Sequence, residues 1–219
     1  MHAGRRTVRL NGMENSRALE QAACQSVASL ALALVDMPSV SGEEEELADA
    51  VEELLVRLSR YEVLRERNTI VARTHLGRSA RILLAGHLDT VPIAGNVPGA
   101  VRDGQLWGRG SVDMKAGDAV FLQLARELAE PRVDLTYVFY DNEEVEAVKN
   151  GLGRVSRTHP EWLGADLAVL GEPTNGGIEG GCNGTLRVQL VAHGKAAHSA
   201  RPWMGVNAIH SLGEALRRL

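Results

Sequence analysis

The sequence predicts an α/β fold, a mixed and largely parallel sheet with helices on both faces, followed by the start of a smaller α+β unit. Three observations support this prediction. Strand and helix patterns alternate along the chain, which is typical of a sheet covered by helices. The run at 82–85 is apolar throughout, as in a strand buried on both faces. A glycine-rich stretch at 171–184 then precedes one further strand and helix.

Two helices are predicted before the first strand. Apolar residues recur at helical spacing over 16–36, and Pro38 closes that segment because proline cannot continue a helix. Ser41 and Glu44 have the spacing of a capping box, in which the hydroxyl and the carboxylate satisfy each other's free backbone N–H groups. A second helix is therefore expected to begin at this box. Residues 1–15 lack core-facing periodicity and are predicted to be a tail.

The remaining elements follow from the same periodicities of helix and strand. Strands are predicted at 61–66, 69–74, 82–85, 133–140 and 166–170, and helices at 115–130 and 145–158. Beyond the glycine-rich stretch, we expect a strand at 185–193 and a helix at 206–219. A single strand and helix cannot bury their apolar faces alone, so this second unit is expected to be incomplete.

Charge, hydropathy and cysteine usage argue against several classes of protein. The chain has 24 basic and 28 acidic residues, a net charge of -4, so it lacks the basic field that binds nucleic acid by counterion release. The most apolar stretch, 27–35, is too short to span a bilayer, and no membrane segment is expected. Cys24 and Cys182 are too far apart in sequence to indicate a disulfide framework, and the predicted compartment is cytoplasmic.

Potential metal ligands follow the predicted strands at four places. In alternating folds, ligands gather at the carboxyl ends of the strands. One imidazole with several carboxylates suits zinc, cobalt or manganese better than a metal that prefers thiolates. The four segments are 86–90 with His87 and Asp89, 108–115 with Asp113, 141–144 with Glu143 and Glu144, and 171–174 with Glu172.

Each of these residues also has a plain structural explanation. His87 beside a buried strand could be a hydrogen-bonded core histidine, and Asp113 could complement a helix dipole. The adjacent glutamates at 143–144 could be a solvated pair, and Glu172 could belong to a turn. Taken singly, these explanations are favoured. Taken together, they would require four strand ends to collect carboxylate or imidazole by chance, so the sequence predicts a metal centre.

These segments resemble the motifs of the metal-dependent amidohydrolase and aminopeptidase family, the peptidase M20 type. The resemblance extends from about residue 30 to the end of the chain, and within the family it is strongest to the succinyl-diaminopimelate desuccinylases. It implies a zinc-exopeptidase-like catalytic domain over 16–178 and the beginning of a lid and dimerisation domain over 179–219. The motifs are HLDTVP at 87–92, GRGSVDMKAG at 108–117, DNEE at 141–144, GEPT at 171–174 and GKAAHSARPWMGVNAI at 194–209.

The resemblance implies two divalent metal ions, with zinc preferred and cobalt as the alternative. His87 and Glu172 would bind the first ion, Glu144 would bind the second, and Asp113 would bridge them. In the family, the second site also takes a histidine from a later segment of the catalytic domain. The sequence ends at Leu219, before such a segment. The chain is therefore expected to be C-terminally truncated relative to the family, with an open second site and impaired activity.

Three further residues receive roles from the resemblance. Asp89 would orient His87, and Glu143 would be the general base. His198 would stabilise the oxyanion in the partner subunit's site, since the family forms homodimers. The peptide bond after Asp113 would be cis. Asn183 and Gly184 would lie at the hinge between the domains.

The expected function is hydrolysis of the N-succinyl amide of N-succinyl-LL-2,6-diaminopimelate to succinate and LL-diaminopimelate. The predicted partner is thus a small N-acyl amino acid substrate, and neither nucleic acid nor a membrane is expected as a partner. Two alternatives stay open. The chain could be an acetylornithine deacetylase or another N-acyl-amino-acid deacylase or metallopeptidase, because the motifs determine the chemistry and not the acyl group. It could also be an inactive metal-binding fragment.

Overall fold

The structure is a computed structural model that describes residues 3–181 and 186–218, with side chains from residue 14 onward. The chain divides into two compact units, Met1–Gly176 and Gly177–Leu219. This boundary lies two residues before the predicted one. The predicted hinge residues Asn183 and Gly184 lie outside the described residues.

The strands of the first unit form one five-stranded sheet and one two-stranded hairpin. In chain order they are β1 (Glu62–Glu66), β2 (Thr69–Arg73), β3 (Arg81–His87), β4 (Ala100–Arg102), β5 (Gln105–Trp107), β6 (Asp134–Tyr140) and β7 (Leu167–Leu170). The order in the large sheet is β1-β2-β6-β3-β7. β3 runs parallel to both β6 and β7, whereas β2 runs antiparallel to β1 and β6. The predicted mixed sheet is confirmed, with parallel strands in one half.

Six helices accompany these strands in the described part of the chain. They are α1 (Ala3–Gln25), α2 (Val27–Val35), α3 (Glu45–Arg57), α4 (Lys115–Glu127), α5 (Gly151–Thr158) and α6 (Ala208–Arg218). None of the described helices is long and apolar enough to cross a membrane.

Alternating side chains of the sheet face two separate cores, as the period of two in a strand requires. On one face, Tyr137 and Phe139 of β6 pack with buried residues of α1 to α4 in the main core. On the other face, Val138 of the same strand belongs to a smaller core with Leu83 and Ala85 of β3. Residues of α5 and of the turn after it cover this second core. The prediction of helices on both faces is confirmed, although four helices cover one face and α5 the other.

The N-terminal helices differ from the prediction in two respects. The predicted single helix over 16–36 is two helices, because Ser26 interrupts it and caps α2 by accepting a hydrogen bond from Ser29 N at 3.0 Å. α1 begins at Ala3, within the segment predicted to be a tail.

The predicted capping box is also wrong. α3 begins one residue after Glu44, and Ser41 lies outside that helix turn. The Ser41 hydroxyl instead donates to Asp89, and Glu44 accepts from the N–H groups of Gly42 and Asn142. Spacing alone could not reveal this, because both side chains have partners that are distant in sequence.

The second unit contains less regular structure than expected. The described part of the predicted strand, 186–193, forms no strand and pairs with none of the described strands. A single segment without a neighbour leaves its backbone groups without ladder partners. A single bridge joins Lys195 to Val206, and α6 follows within the predicted helix. Ile209 and Leu216 of α6 are exposed, as expected where one helix has no apolar layer to pack on.

Asp134 fixes the amino end of β6, seven residues from the end where the predicted ligands gather. Its buried carboxylate accepts from the Thr74 hydroxyl at 2.6 Å, Leu76 N at 2.8 Å and Arg78 N at 2.9 Å. Burial alone would raise the pKa of Asp134, but these hydrogen bonds outweigh it and lower the pKa to about 2.

We expect Asp134→Asn to make stability less dependent on pH. Because the folded pKa of Asp134 is depressed, its contribution is complete above its ordinary pKa of 3.8 and is lost as the pH falls towards about 2. In urea unfolding from pH 6 to pH 3, the variant should lack roughly 1 kcal/mol of the decrease seen in the parent. Asp103→Asn, at an exposed position, is the control and should behave like the parent. Equal pH dependence in parent and Asp134→Asn would contradict the assignment.

Candidate metal centre

The parallel pairing of β3 with its two neighbours brings the predicted ligand segments to one edge of the sheet. His87 at the end of β3 pairs with Tyr140 at the end of β6, and Ala85 pairs with Leu170 at the end of β7. The segments that follow β6 and β7 therefore emerge beside His87. This is the edge at which open α/β sheets bind ligands.

Three of the four predicted metal ligands converge at this edge. His87, Asp113 and Glu144 each offer a ligand atom, and these atoms all lie within 4.8 Å of one another. Nε2 of His87 is 3.0 Å from Oδ1 of Asp113. Glu172 is not a member of this set, although it follows β7 at the same edge and interacts electrostatically with His87.

Burial and accumulated negative charge shift the pKa values of these groups. Burial raises the pKa of Glu144 and of Glu172, and Asp113 raises both further. Burial alone would lower the pKa of His87, but surrounding carboxylates raise it overall, with Asp118 ahead of Asp89 and Glu172. Mutual repulsion among carboxylates beside one imidazole is relieved by a cation, so the electrostatics suit a divalent metal.

Asp89 holds the 141–144 segment after β6 through its side chain. Its fully buried carboxylate accepts from Glu143 N at 2.8 Å, Glu144 N at 3.0 Å and the Ser41 hydroxyl at 2.7 Å. Nδ1 of His87 contacts the backbone carbonyl of Asp89 at 2.9 Å, while the Asp89 carboxylate is 3.6 Å away. Asp89 therefore contacts His87 through its main chain and both glutamates through its carboxylate.

Two residues that support the site were assigned otherwise from the sequence. Ser41 is one of the donors to Asp89, and its backbone N–H also binds Thr90 O at 3.1 Å. Glu44 is fully buried and accepts from Asn142 N at 3.2 Å, which ties the start of the 141–144 segment to the loop before α3. Their spacing matched a capping box, so the sequence offered no signal for these contacts.

The segment that contains Asp113 is fixed by the buried Lys115. The ammonium of Lys115 donates to Leu34 O at 2.9 Å and to Met37 O at 2.6 Å, at the end of α2 and just beyond it. The predicted cis peptide bond between Asp113 and Met114 is confirmed. The backbone N–H of His87 contacts the Met114 sulfur at 3.2 Å, so the residue after Asp113 also contacts β3.

His198 belongs to the second unit and is exposed. Its Nδ1 accepts from Ala200 N at 3.1 Å within its own loop. Its role at an oxyanion site stays a prediction. Asp118, whose charge acts on His87, was not predicted as a site residue, because a carboxylate in the first turn of a helix such as α4 is ordinary.

Comparison with known families identifies the arrangement. Residues 83–216 match the profile described as peptidase family M20/M25/M40. The chain belongs to this family. The match covers three of the converging ligands and extends into the second unit, so the resemblance drawn from the motifs is confirmed for most of the chain.

Two curated relatives are similar over most of the chain. The DapE protein of Mycobacterium tuberculosis strain H37Rv is 58% identical over 191 residues, which cover 87% of this chain and 54% of the relative. The succinyl-diaminopimelate desuccinylase of Corynebacterium glutamicum is 51% identical over 191 residues, covering 85% of this chain and 52% of the relative. The chain thus spans about half the length of the curated relatives it matches.

Solved structures of the family share the fold. A tripeptidase from Staphylococcus aureus matches with a TM-score of 0.63 and 21% identity, and the match covers 89% of this chain and 56% of the tripeptidase. At this level of identity, the similarity supports the mixed α/β architecture alone.

We expect Asp89→Asn to weaken both the fold and zinc binding. An amide can accept through one oxygen only, and its NH2 group would face one of the three donors that now contact the carboxylate. The free energy of unfolding should fall by roughly 2–4 kcal/mol, measured by urea denaturation. Zinc affinity, measured by competition with a chromophoric chelator, should fall as well, because the backbone of Glu144 loses its anchor.

Ser41→Ala is the matched comparison, because it removes one of the three donors and leaves the carboxylate intact. It should cost about 1 kcal/mol and leave zinc affinity nearly unchanged. If Asp89→Asn cost no more than Ser41→Ala, the carboxylate would not be the element that holds the two glutamates.

Proposed function

We propose that the chain provides the metal-binding half of an amidohydrolase that removes the succinyl group from N-succinyl-LL-2,6-diaminopimelate. The observation that best supports this is the convergence of His87, Asp113 and Glu144 at the carboxyl end of a parallel sheet in a chain of the M20 family. The products would be succinate and LL-diaminopimelate. Since the chain covers about half of its relatives, the activity of the whole enzyme is part of this proposal.

The residues present fit a divalent metal centre. An imidazole and two carboxylates within 4.8 Å are donors that Zn²⁺ accepts, and Co²⁺ is the alternative. His87 and Glu172 would hold a first ion, Glu144 a second, and Asp113 would serve both. When bound, the ions polarise the amide carbonyl and make water a stronger nucleophile near neutral pH.

Glu143 is proposed as the general base. Its backbone is fixed by Asp89, while its side chain is not part of the converging ligand set. It would take a proton from the attacking water and deliver it to the amine nitrogen as the amide bond breaks. Two adjacent glutamates thus divide the work, since Glu144 binds metal and Glu143 carries the proton.

The choice of a succinyl substrate rests on sequence similarity. The Corynebacterium glutamicum relative, 51% identical, carries the name of a succinyl-diaminopimelate desuccinylase. Acetylornithine deacetylase activity, or another N-acyl-amino-acid deacylase activity, is the competing proposal. His198 as an oxyanion residue, a homodimeric assembly and a cytoplasmic site of action belong to the same proposal and rest on the family resemblance.

We expect Glu143→Gln to abolish hydrolysis and to leave zinc binding within about twofold of the parent, because it removes the proton acceptor and no ligand. His87→Ala should lose zinc binding. Glu130→Gln, at an exposed position, should change neither property. Amine release reports turnover, and chelator competition reports zinc affinity. Full turnover in Glu143→Gln would contradict its role.

The substrate is tested by comparing kcat/KM for N-succinyl-LL-2,6-diaminopimelate and N-acetylornithine in the zinc-loaded chain. We expect the succinyl compound to be preferred by at least about tenfold, the scale on which a site distinguishes polar acyl groups. Preference for N-acetylornithine would favour the deacetylase. Zinc binding without turnover of either compound would favour the metal-binding fragment.

A further inference from the structure

Asp118 is a buried carboxylate that the proposed mechanism does not use. It lies in the first turn of α4 and is 1% exposed. Neither of its oxygens has a hydrogen-bond partner among the described residues. Burying a carboxylate without a partner costs several kcal/mol once it is ionised, so such a group calls for an explanation.

The fold makes room for this carboxylate against the backbone of Gly86, the residue before His87. A Cβ atom placed on Gly86 would lie 2.1 Å from Oδ1 of Asp118 and 2.8 Å from Cε of Met114. Any residue larger than glycine before His87 would therefore displace Asp118. The backbone N–H of Asp118 donates to Met114 O at 3.1 Å, which fixes the first turn of α4 against the loop that contains Asp113.

The cation closest in sequence favours an ionised Asp118 less than His87 does, and it makes no hydrogen bond to the carboxylate. Lys115 lies one helical turn earlier, but its ammonium donates to the carbonyls of Leu34 and Met37. The strongest favourable charge on Asp118 is His87, and among the carboxylates around His87 it is Asp118 that most raises the pKa of the imidazole. Asp89 and Glu172 add negative charge nearby, which disfavours an ionised Asp118 unless a cation is close.

We propose that Asp118 is a positioning residue of the metal centre, whose buried charge behind His87 strengthens the binding of a divalent cation without ligating it. An ionised carboxylate without a hydrogen-bond partner destabilises the metal-free fold. Its burial becomes favourable only when a cation is bound nearby. Nδ1 of His87 contacts the Asp89 carbonyl, so Asp118 acts on the imidazole through its charge and not through a hydrogen bond. This inference rests on the metal centre proposed above.

Two substitutions separate this role from a structural one. Asp118→Asn keeps the size of the side chain and removes the charge. Asp118→Leu removes the charge and both unpaired oxygens, and replacing a buried ionic group by an apolar one of similar volume is often neutral or stabilising. We expect Zn²⁺ affinity, measured by chelator competition, to fall roughly 10- to 100-fold in both variants. The thermal midpoint of the metal-free Asp118→Leu protein should be equal to or higher than that of the parent.

Asp134→Asn is the matched control, because it alters a buried carboxylate at the opposite end of the sheet. It should lower stability and leave Zn²⁺ affinity unchanged. Unchanged affinity in both Asp118 variants would overturn the inference. The inference would also be overturned if Asp134→Asn lowered Zn²⁺ affinity as much as the Asp118 variants do, because the loss would then follow from general destabilisation. His87→Ala distinguishes the two proposals: if it too leaves Zn²⁺ affinity unchanged, the metal centre itself is wrong.

Discussion

The site depends on the buried carboxylate of Asp89. It contacts both the loop before α3, through Ser41, and the segment after β6, through the backbone of Glu143 and Glu144. Its main-chain carbonyl also contacts the imidazole of His87. Hydrogen bonds to a buried carboxylate are among the stronger ones in proteins, so Asp89 contributes strongly to the relative positions of His87, Glu143 and Glu144.

The sheet explains why such a group is needed. Parallel strands place their carboxyl ends together, but the residues that follow them are loops with few regular hydrogen bonds of their own. His87 is at a strand end, whereas Glu143 and Glu144 lie beyond β6 in irregular structure. Side chains from outside the sheet therefore provide the hydrogen bonds that these loops lack. Asp89, Glu44 and Lys115 each connect a loop of the site to a segment that is distant in sequence.

Much of the fold and of the candidate site could be predicted because the signals are local. Alternating periodicities located the five strands of the sheet, and ligand-type residues directly after strands located His87, Asp113 and Glu144. Contacts between distant segments could not be predicted. Ser41 and Glu44 fitted a local motif that was wrong, Ser26 broke a helix whose apolar spacing was continuous, and the strand expected at 185–193 found no partner. Asp118 could not be predicted as a residue of the site, because a carboxylate in the first turn of a helix is ordinary.

The contacts of Lys115 have a consequence for where the functional unit begins. The family profile starts at residue 83, so every motif residue falls inside it. Yet the ammonium that secures the loop of Asp113 binds carbonyls at the end of α2, and Glu44 lies upstream as well. A fragment that began at residue 83 would contain every motif residue. It would lack the upstream groups that hold the loops of the site in position. α2 and the loop before α3, which contain none of the motifs, are thus part of the scaffold of the metal centre.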